Sequence, residues 1–560
     1  MSEVLHPSIL LFTGALVVAV LRGRLQQGVM LLVAAALIWL VFSLPSGVFG
    51  ATEFLGIELS PMRVDKLSLV FASVFAIITL VGAIYALHVK DTPQHVAALM
   101  YAGSALGVVF AGDLVTLYVF WELMVFTSVW LIWCRRNPAS MAAGFRYLLV
   151  HALGGIVLLA GIILYYLDAG TVQFAEIENT GLAFYLILIG FLLNAAVPPL
   201  GAWLADAYPE STVTGAIFLS ALTTKTAVYT LIRGFPGTEL LVWLGVVMAL
   251  WGVVYAVLAN DIRRLLAYHI ISQVGYMVAG VGMGTIMALN GAASHAFTHI
   301  LYKALLFMGA GAVIHMTGRA KLTELGGIYR YMPVTFLLYM IGAFSISAFP
   351  LFSGFVSKTM VVEAAALDQR AWVWLLLSLA SAGTFLHTGL KLPWFTFFGP
   401  DRGLKPREAP LNMLVAMGIA AFFCVFIGIY PQWLYAMMPA TVEYQAYTSG
   451  HILWELQLLL FTGVGFFVLL KHVGGEPKIS VDTDWVYRKA MPAIAGGIQR
   501  VGGAAWQAML GTLMHKLTAL VTSVSAHHGP QGILARTWPT GSMVLWVAIL
   551  LAASLLIYYL

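Results

Sequence analysis

Residues 332–367 read MPVTFLLYMIGAFSISAFPLFSGFVSKTMVVEAAAL, an apolar window interrupted by Phe349-Pro350-Leu351-Phe352-Ser353-Gly354. Proline removes a backbone donor and clashes with the turn before it, so this window is expected to split into two half-helices. A second interruption, Pro198-Pro199, falls in the window 183–204. Broken helices at membrane depth are tolerated only where they are buried in protein or line a cavity. On either side of these breaks, apolar windows of ~20 residues recur along the chain. They give about 16 helices, with cores near 7–22, 27–48, 66–88, 95–111, 113–133, 144–168, 183–204, 211–233, 238–259, 264–285, 291–316, 332–367, 372–398, 411–432, 452–472 and 541–560. The expected fold class is an all-α polytopic membrane protein.

Composition agrees. The 560 residues are 61% hydrophobic and 9% charged, with a mean hydropathy of +0.92. Soluble domains carry about 25% charged residues. A membrane barrel would show ~10-residue alternating segments instead. The net charge of +5 reflects loop lysines and arginines and does not point to nucleic acid. Cys134 and Cys424 lie far apart in apolar surroundings and form no metal or redox motif. No CxxC and no Gly-rich nucleotide loop occurs, so no bound cofactor is expected. The N-terminus runs almost directly into a span, and no cleavable signal peptide is expected.

Positive charge selects a side. Arg22/Arg24, Lys90, Arg135/Arg136, Arg263/Arg264, Lys321/Arg330, Arg402/Lys405/Arg407 and Lys471/Lys478 follow odd-numbered spans, whereas Asp168, Glu176 and Glu178 follow an even one. The positive-inside rule places both termini outside the cytoplasm of a bacterial inner membrane. The loop after span seven, with Asp206 and Glu210, is the exception. The two breaks lie five spans apart; five is odd, so matching units would be inverted, with an ion site between them. The expected organisation is N-terminal spans over 1–92, one half-channel over 93–234, its inverted counterpart over 235–400, further spans over 401–474, a surface segment over 475–540 and a last span over 541–560. The segment 475–540 carries Asp482, Asp484, Arg488, Lys489, Arg500, Lys516, His527 and His528. Trp506, Met509, Leu510, Leu513, Leu517 and Leu520 recur among them at helical spacing, which predicts an amphipathic helix along the membrane surface. A weakly structured linker is the alternative.

Eight ionisable residues stand inside apolar windows: Glu122, Lys225, His295, His299, Lys303, Lys358, His387 and Lys391. A charge at the bilayer centre costs at least ~2.5 kcal/mol, so their recurrence points to a proton or ion route. Glu122 is the only charge between Asp113 and Arg135, and Lys225 sits mid-span; a static pair between them is the alternative. His295, His299 and Lys303 are spaced i, i+4, i+8 and share one helix face. Two histidines at that spacing could bind a metal, but no third ligand is nearby, and a proton relay fits better. Lys358 follows the break at Pro350, where freed backbone dipoles can bind ions or water. His387 and Lys391 repeat the i, i+4 spacing, with snorkelling as the alternative for Lys391.

These residues resemble a known family. Phe120-Trp121-Glu122-Leu123-Met124, Pro199-Leu200 with Trp203-Leu204, Lys225 with Tyr229 and Arg233, Asp261 to Tyr268 with Ser272 to Met277, His295 to Lys303, and Ser353-Gly354-Phe355 with Ser357-Lys358 occur in the family's order over about residues 60–400. The family is that of the proton-translocating antiporter-like subunits of respiratory complex I, membrane-bound hydrogenases and Mrp-type cation/proton antiporters, with the likeness strongest to the Mrp-type D component. The resemblance implies two inverted five-helix bundles joined by a hydrated axis of Lys, His and Glu. In it Glu122 is the fifth-helix glutamate, Lys225 the eighth-helix lysine, His295 and His299 the central histidines, and Lys358 the terminal residue. The tail resembles the lateral helix and final span of some members. One departure matters: the family's lysine on the broken seventh helix is here Asn194, which cannot ionise. Glu122 would then need another cation, Lys225 or Arg146, or the first half-channel works differently. Gly201 and Ala205 also replace residues that are commonly His and Pro.

The resemblance implies a proton-translocating subunit among other membrane subunits, coupled to a redox partner or to Na+ exchange, with no redox cofactor of its own. An inorganic-carbon uptake system with a soluble zinc protein as partner, a stand-alone secondary transporter and a structural anchor are the other readings.

Overall fold

The computed structural model describes residues 4–178, 181–474, 476, 482–528, 532 and 539–559, with all side chains among them except those of 498 and 500–506. Lys478, and the side chains of Arg500 and Trp506, therefore lie outside the described residues. The chain forms two units, Met1–Asp484 and Trp485–Leu560.

The first unit opens with α1 (Pro7–Val20) and α2 (Gly23–Ser43). Four short strands follow: β1 (Gly47–Phe49) pairs antiparallel with β4 (Met62–Val64), and β2 (Thr52–Phe54) with β3 (Ile57–Leu59). Leu55 and Gly56 both take positive φ, as a two-residue hairpin turn demands. The hydropathy reading placed no strand in this connection. Then come α3 (Lys66–Tyr85), α4 (Thr92–Phe110), α5 (Leu114–Trp133), α6 (Pro138–Ala169), α7 (Leu182–Asn194), α8 (Ala202–Ala207), α9 (Gly215–Ala221) and α10 (Thr223–Gly234). A second series runs α11 (Glu239–Leu258), α12 (Ile262–Met283), α13 (Ile286–Thr317), α14 (Pro333–Ile346), α15 (Ser353–Leu367) and α16 (Ala371–Thr384). The unit closes with α17 (Leu411–Ile429), α18 (Gln432–Tyr435), α19 (Ser449–Val468) and α20 (Leu470–Val473). The second unit holds α21 (Met491–His528) and α22 (Thr540–Tyr559). Within the tail, Met491–His528 is one helix of 38 residues.

Twelve helices among those described are long and apolar enough to cross a membrane, which makes this a multi-pass membrane protein. The sequence windows numbered about 16. The difference has local causes. The breaks cut windows seven and twelve into short pieces, α1 has only 14 residues, and α4 is diluted by Thr92, His95 and Ser104.

The two series share a set of landmarks. Asp113 caps α5, accepting from the Thr116 N–H at 2.7 Å, and Asp261 caps α12, accepting from the Arg263 and Arg264 N–H groups. Asp113 bridges to Gln173 and Asp261 to Lys321. α6 and α13 each run 32 residues and stop at a left-handed glycine, Gly170 and Gly318. All three pairs differ by the same 148 positions (113 and 261, 173 and 321, 170 and 318). Each series then breaks at an Ala-x-Pro: Ala196 and Ala348 both adopt φ near +60°. Trp203 Nε1 donates to the Leu193 carbonyl, and Lys358 Nζ lies 3.5 Å from the Ile346 carbonyl. In both breaks a residue beyond the proline covers a carbonyl orphaned by the helix end.

Packing places α10, α12 and α13 at the centre. The most apolar windows of α12 and of the α9–α10 pair are wholly buried, and that of α13 is 94% buried. Close approach of α11 and α12 depends on small residues: a Cβ at Gly275 would meet the Gly245 carbonyl and the Ala249 N–H. Such small-residue contacts let helix backbones approach closely in membranes. Span thirteen departs from α geometry, with π turns at Phe385–Lys391 and Trp394–Phe398.

Candidate functional site

His295, His299 and Lys303 line one face of α13, all with no exposed surface. An uninterrupted helix fixes their spacing, and the surrounding α10, α12 and α15 shut out solvent. Lys303 Nζ lies 3.0 Å from His269 Nδ1 on α12. His269 Nε2 lies 3.3 Å from Thr384 Oγ1, which also accepts from Gln273 Nε2 at 3.3 Å. The His269 ring packs edge-on against His387, with centroids 4.8 Å apart. His387 Nδ1 contacts Thr388 Oγ1 at 2.7 Å. An ammonium at Lys303 can only donate, so His269 Nδ1 accepts, and its Nε2 carries the proton toward Thr384. On the other side, His295 Nδ1 lies 3.4 Å from Ser357 Oγ, which meets Thr298 Oγ1 at 2.7 Å. The His295 and His299 rings are 6.1 Å apart, and His299 is within electrostatic reach of both Lys225 and Lys303. Neither ring nitrogen of His299 has a protein hydrogen-bond partner.

Lys225 is fully buried and donates to the Ser220 carbonyl at 2.6 Å and to Thr224 Oγ1 at 3.0 Å. That carbonyl is available because span eight itself breaks at Leu222, between α9 and α10. No proline marks this break, and the sequence reading missed it. Glu122 is half-buried on α5, and its Oε1 has no hydrogen-bond partner. Its carboxylate lies over Gly155 of α6, where any Cβ would collide with it. The cations expected to serve it are engaged elsewhere. Lys225 bonds within its own helix break, and Arg146 forms a two-pronged pair with Asp206 at 2.7 and 2.8 Å. Asn194 is buried at the end of α7 with its Nδ2 unpartnered.

Lys358 donates to Ser381 Oγ at 2.7 Å and lies 5.9 Å from the Tyr276 ring centroid. Lys391 does not snorkel. It is fully buried, and its Nζ donates to the Val257 and Ala259 carbonyls at the end of α11. Because the chain is π-helical there, the i, i+4 relation of His387 to Lys391 does not put them on one α-helical face.

The structure therefore gathers Lys225, His295, His299, Lys303, Lys358, His387 and Lys391 into the buried interior and leaves Glu122 half-buried against α6. Sequence reasoning missed His269, which links Lys303 to Thr384. It sits one residue past a quoted motif, and a lone histidine beside Tyr268 gave no separate signal. It also missed His151, fully buried on α6 with Nε2 unpartnered, and Glu455 on α19.

Residues 111–385 match the family described as NADH:quinone oxidoreductase/Mrp antiporter, transmembrane. The chain is 33% identical to the A component of the Na(+)/H(+) antiporter of Alkalihalophilus pseudofirmus, over 66% of this chain and 52% of that protein. It is 31% identical to the A/B component of a probable K(+)/H(+) antiporter of Rhizobium meliloti, over 66% and 40%. It is 27% identical to hydrogenase-4 component B of Escherichia coli, over 67% and 63%. The chain thus spans about half the length of the curated relatives it matches. These antiporter relatives are A-type components, not the D type of the sequence likeness. Two solved structures share the fold. A chain of the archaeal membrane-bound sulfane sulfur reductase aligns with TM-score 0.73 and 22% identity over 99% of this chain and 100% of that one. A chain of the Dietzia Mrp complex aligns with TM-score 0.69 and 23% identity over 82% and 99%.

Proposed function

Because this chain belongs to the NADH:quinone oxidoreductase/Mrp antiporter transmembrane family, we propose that it is a proton-translocating membrane subunit of a larger complex. The observation that carries this is the buried row Lys225, His299, Lys303, His269, His387, together with Lys358. Each member can bind or release a proton, and each lies next to another titratable or hydroxyl group. Lys303 and His269 exchange a proton directly across their 3.0 Å contact. The unpartnered nitrogens of His299 and His387 are poised to bond water, and water bridges the remaining gaps. Charge on one lysine disfavours charge on the next, so protons move along the row one step at a time.

The residues 93–234 and 235–400 serve as two inverted half-channels meeting at this row. The tail helix α21 lies along the membrane surface. Both termini lie outside the cytoplasm of a bacterial plasma membrane, as the loop charges favour. The driving force is either exchange against Na+ or a redox reaction in a partner subunit, since the relatives' names include both kinds.

Replacing Lys225 or Lys358 with alanine is expected to abolish dye-monitored proton movement in membrane vesicles while the chain still co-purifies with its partners. Parental transport in both variants rejects the proposal. Co-purification identifies the coupling: several small membrane subunits indicate cation exchange, iron–sulfur proteins indicate redox drive, and a single soluble zinc protein indicates carbon uptake.

A further inference from the structure

The buried row needs an opening to water, and one end of it lies beside a cavity. Between α13, α15, α16 and α19 there is an open cavity of about 1080 Å³, lined by Glu363, Tyr444 and His451 among others, with exposed Glu443 on its rim. One turn deeper on α19 than His451 is Glu455, at i+4 and so on the same helix face. Glu455 is only 4% exposed, and its Oε2 has no hydrogen-bond partner among the described residues. A buried carboxylate oxygen left unpartnered is costly, unless a cation or a functional proton accounts for it. The cation within its electrostatic reach is Lys358, whose ammonium is hydrogen-bonded to Ser381 Oγ rather than to Glu455.

Polar groups also run from α15 toward the cavity. Thr359 follows Lys358 in sequence, and its Oγ1 meets the Tyr444 hydroxyl at 2.9 Å. The Tyr444 hydroxyl is 3.3 Å from His451 Nδ1. That same nitrogen is 2.7 Å from the Ala446 carbonyl, which fixes it as the N–H donor and leaves Nε2 free to take a proton. The His451 ring is stacked on Phe355 at 4.7 Å, so its orientation is set. Glu363, on the cavity wall, interacts electrostatically with both His451 and Tyr444.

We propose that Glu455 and His451 carry protons between Lys358 and this cavity, making the cavity the aqueous mouth of the second half-channel. The inference rests on the proton-translocating reading given above. The step balances without a co-reactant. Lys358 Nζ–H⁺ gives its proton through water to the Glu455 carboxylate, leaving a neutral amine and a carboxylic acid. The acid passes the proton to His451 Nε2 through water, regaining its charge, and the imidazolium releases it into the cavity. The groups facing this path are Lys358, Tyr276, Glu363, Tyr435 and Tyr444, with Lys66 and Glu443 on the cavity wall.

The test is dye-quench proton transport in vesicles carrying the assembled complex, measured across pH. Glu455→Gln is expected to lower the initial rate at least tenfold and to flatten its pH profile, with unchanged membrane abundance. Parental rate and profile in Glu455→Gln, together with a dead Lys225→Ala, overturn the exit path alone. Parental transport in both Lys225→Ala and Lys358→Ala overturns the underlying reading instead. If Glu455→Gln does not accumulate, Glu443→Cys on the rim decides. Labelling it with a membrane-impermeant maleimide is expected to block transport, and full transport after complete labelling overturns the mouth.

Discussion

α6 and α13 have the same length and the same glycine stop, yet their inward faces carry different chemistry. At the shared offset of 148 positions, His295 stands over Tyr147, His299 over His151 and Lys303 over Gly155. In α13 the third position is a lysine bonded to His269. In α6 it is a glycine, and the vacated volume is filled by the carboxylate of Glu122 reaching over from α5. His151 is buried as deeply as its counterpart, but its ring lies between Tyr147 and Trp203, with centroids at 4.0 and 4.4 Å. At these matched positions one scaffold thus holds a lysine bonded to a histidine on α13, and a glycine under a carboxylate with an aromatic-clamped histidine on α6. The breaks differ in the same way: Trp203 covers a carbonyl in the first, and ionisable Lys358 approaches one in the second. Backbone architecture can therefore be kept while the titratable groups it displays are exchanged.

The largest effect expected from this contrast is at Lys303. Lys303→Ala removes the group bonded to His269 Nδ1 and should cut proton transport about a hundredfold or more. Near-parental transport would show that the second half does not need its linked row. Next comes the pair at the α5–α6 contact. Gly155→Ala should force the Glu122 carboxylate out and destabilise the purified protein by ~1–3 kcal/mol, as overpacking does. Adding Glu122→Ala should return most of that loss; purely additive melting shifts would place the carboxylate elsewhere. A smaller separation is expected between the histidines. His299→Gln should slow transport more than His151→Gln, because only His299 lies within reach of two lysines. Equal losses would make the halves functionally equivalent.

The smallest effect concerns the anchoring of the first half. Burial works against the charge on Asp65, but Arg233 at 2.8 Å and the Ser68 N–H outweigh it and hold this carboxyl below its usual range. A carboxyl lowered on folding contributes stability above its unfolded value, and that contribution is lost as pH falls through the folded one. Asp65→Asn should therefore lower the melting temperature at neutral pH, by an amount matching about 1 kcal/mol or less for a pair whose carboxylate is partly exposed, and the gap should close in acid.

Much of this was legible in the residues themselves. Pro198 and Pro350 announced the two broken helices, because proline cannot sustain the α-helical ladder. Lys225, Lys303 and Lys358 announced the interior, because a lysine in mid-window is too deep to snorkel and is costly unless it faces other protein groups. The hidden parts share one cause. His269, Glu455 and the break at Leu222 depend on which helices meet, not on local composition. Likewise nothing in the hydropathy around Phe54 separates strand from loop, and the hairpin there is set by Leu55 and Gly56 at the turn.

The π turn at Phe385–Lys391 has a mechanical consequence. It holds one residue more than an α-helical thread would, like a dislocation in a screw. Passing that surplus along the thread would swing each residue it crosses by about 100° and advance it about 1.5 Å, with no helix unwound. His387 and Lys391 ride on that segment, so a slip of a single residue is enough to change which neighbour each one greets.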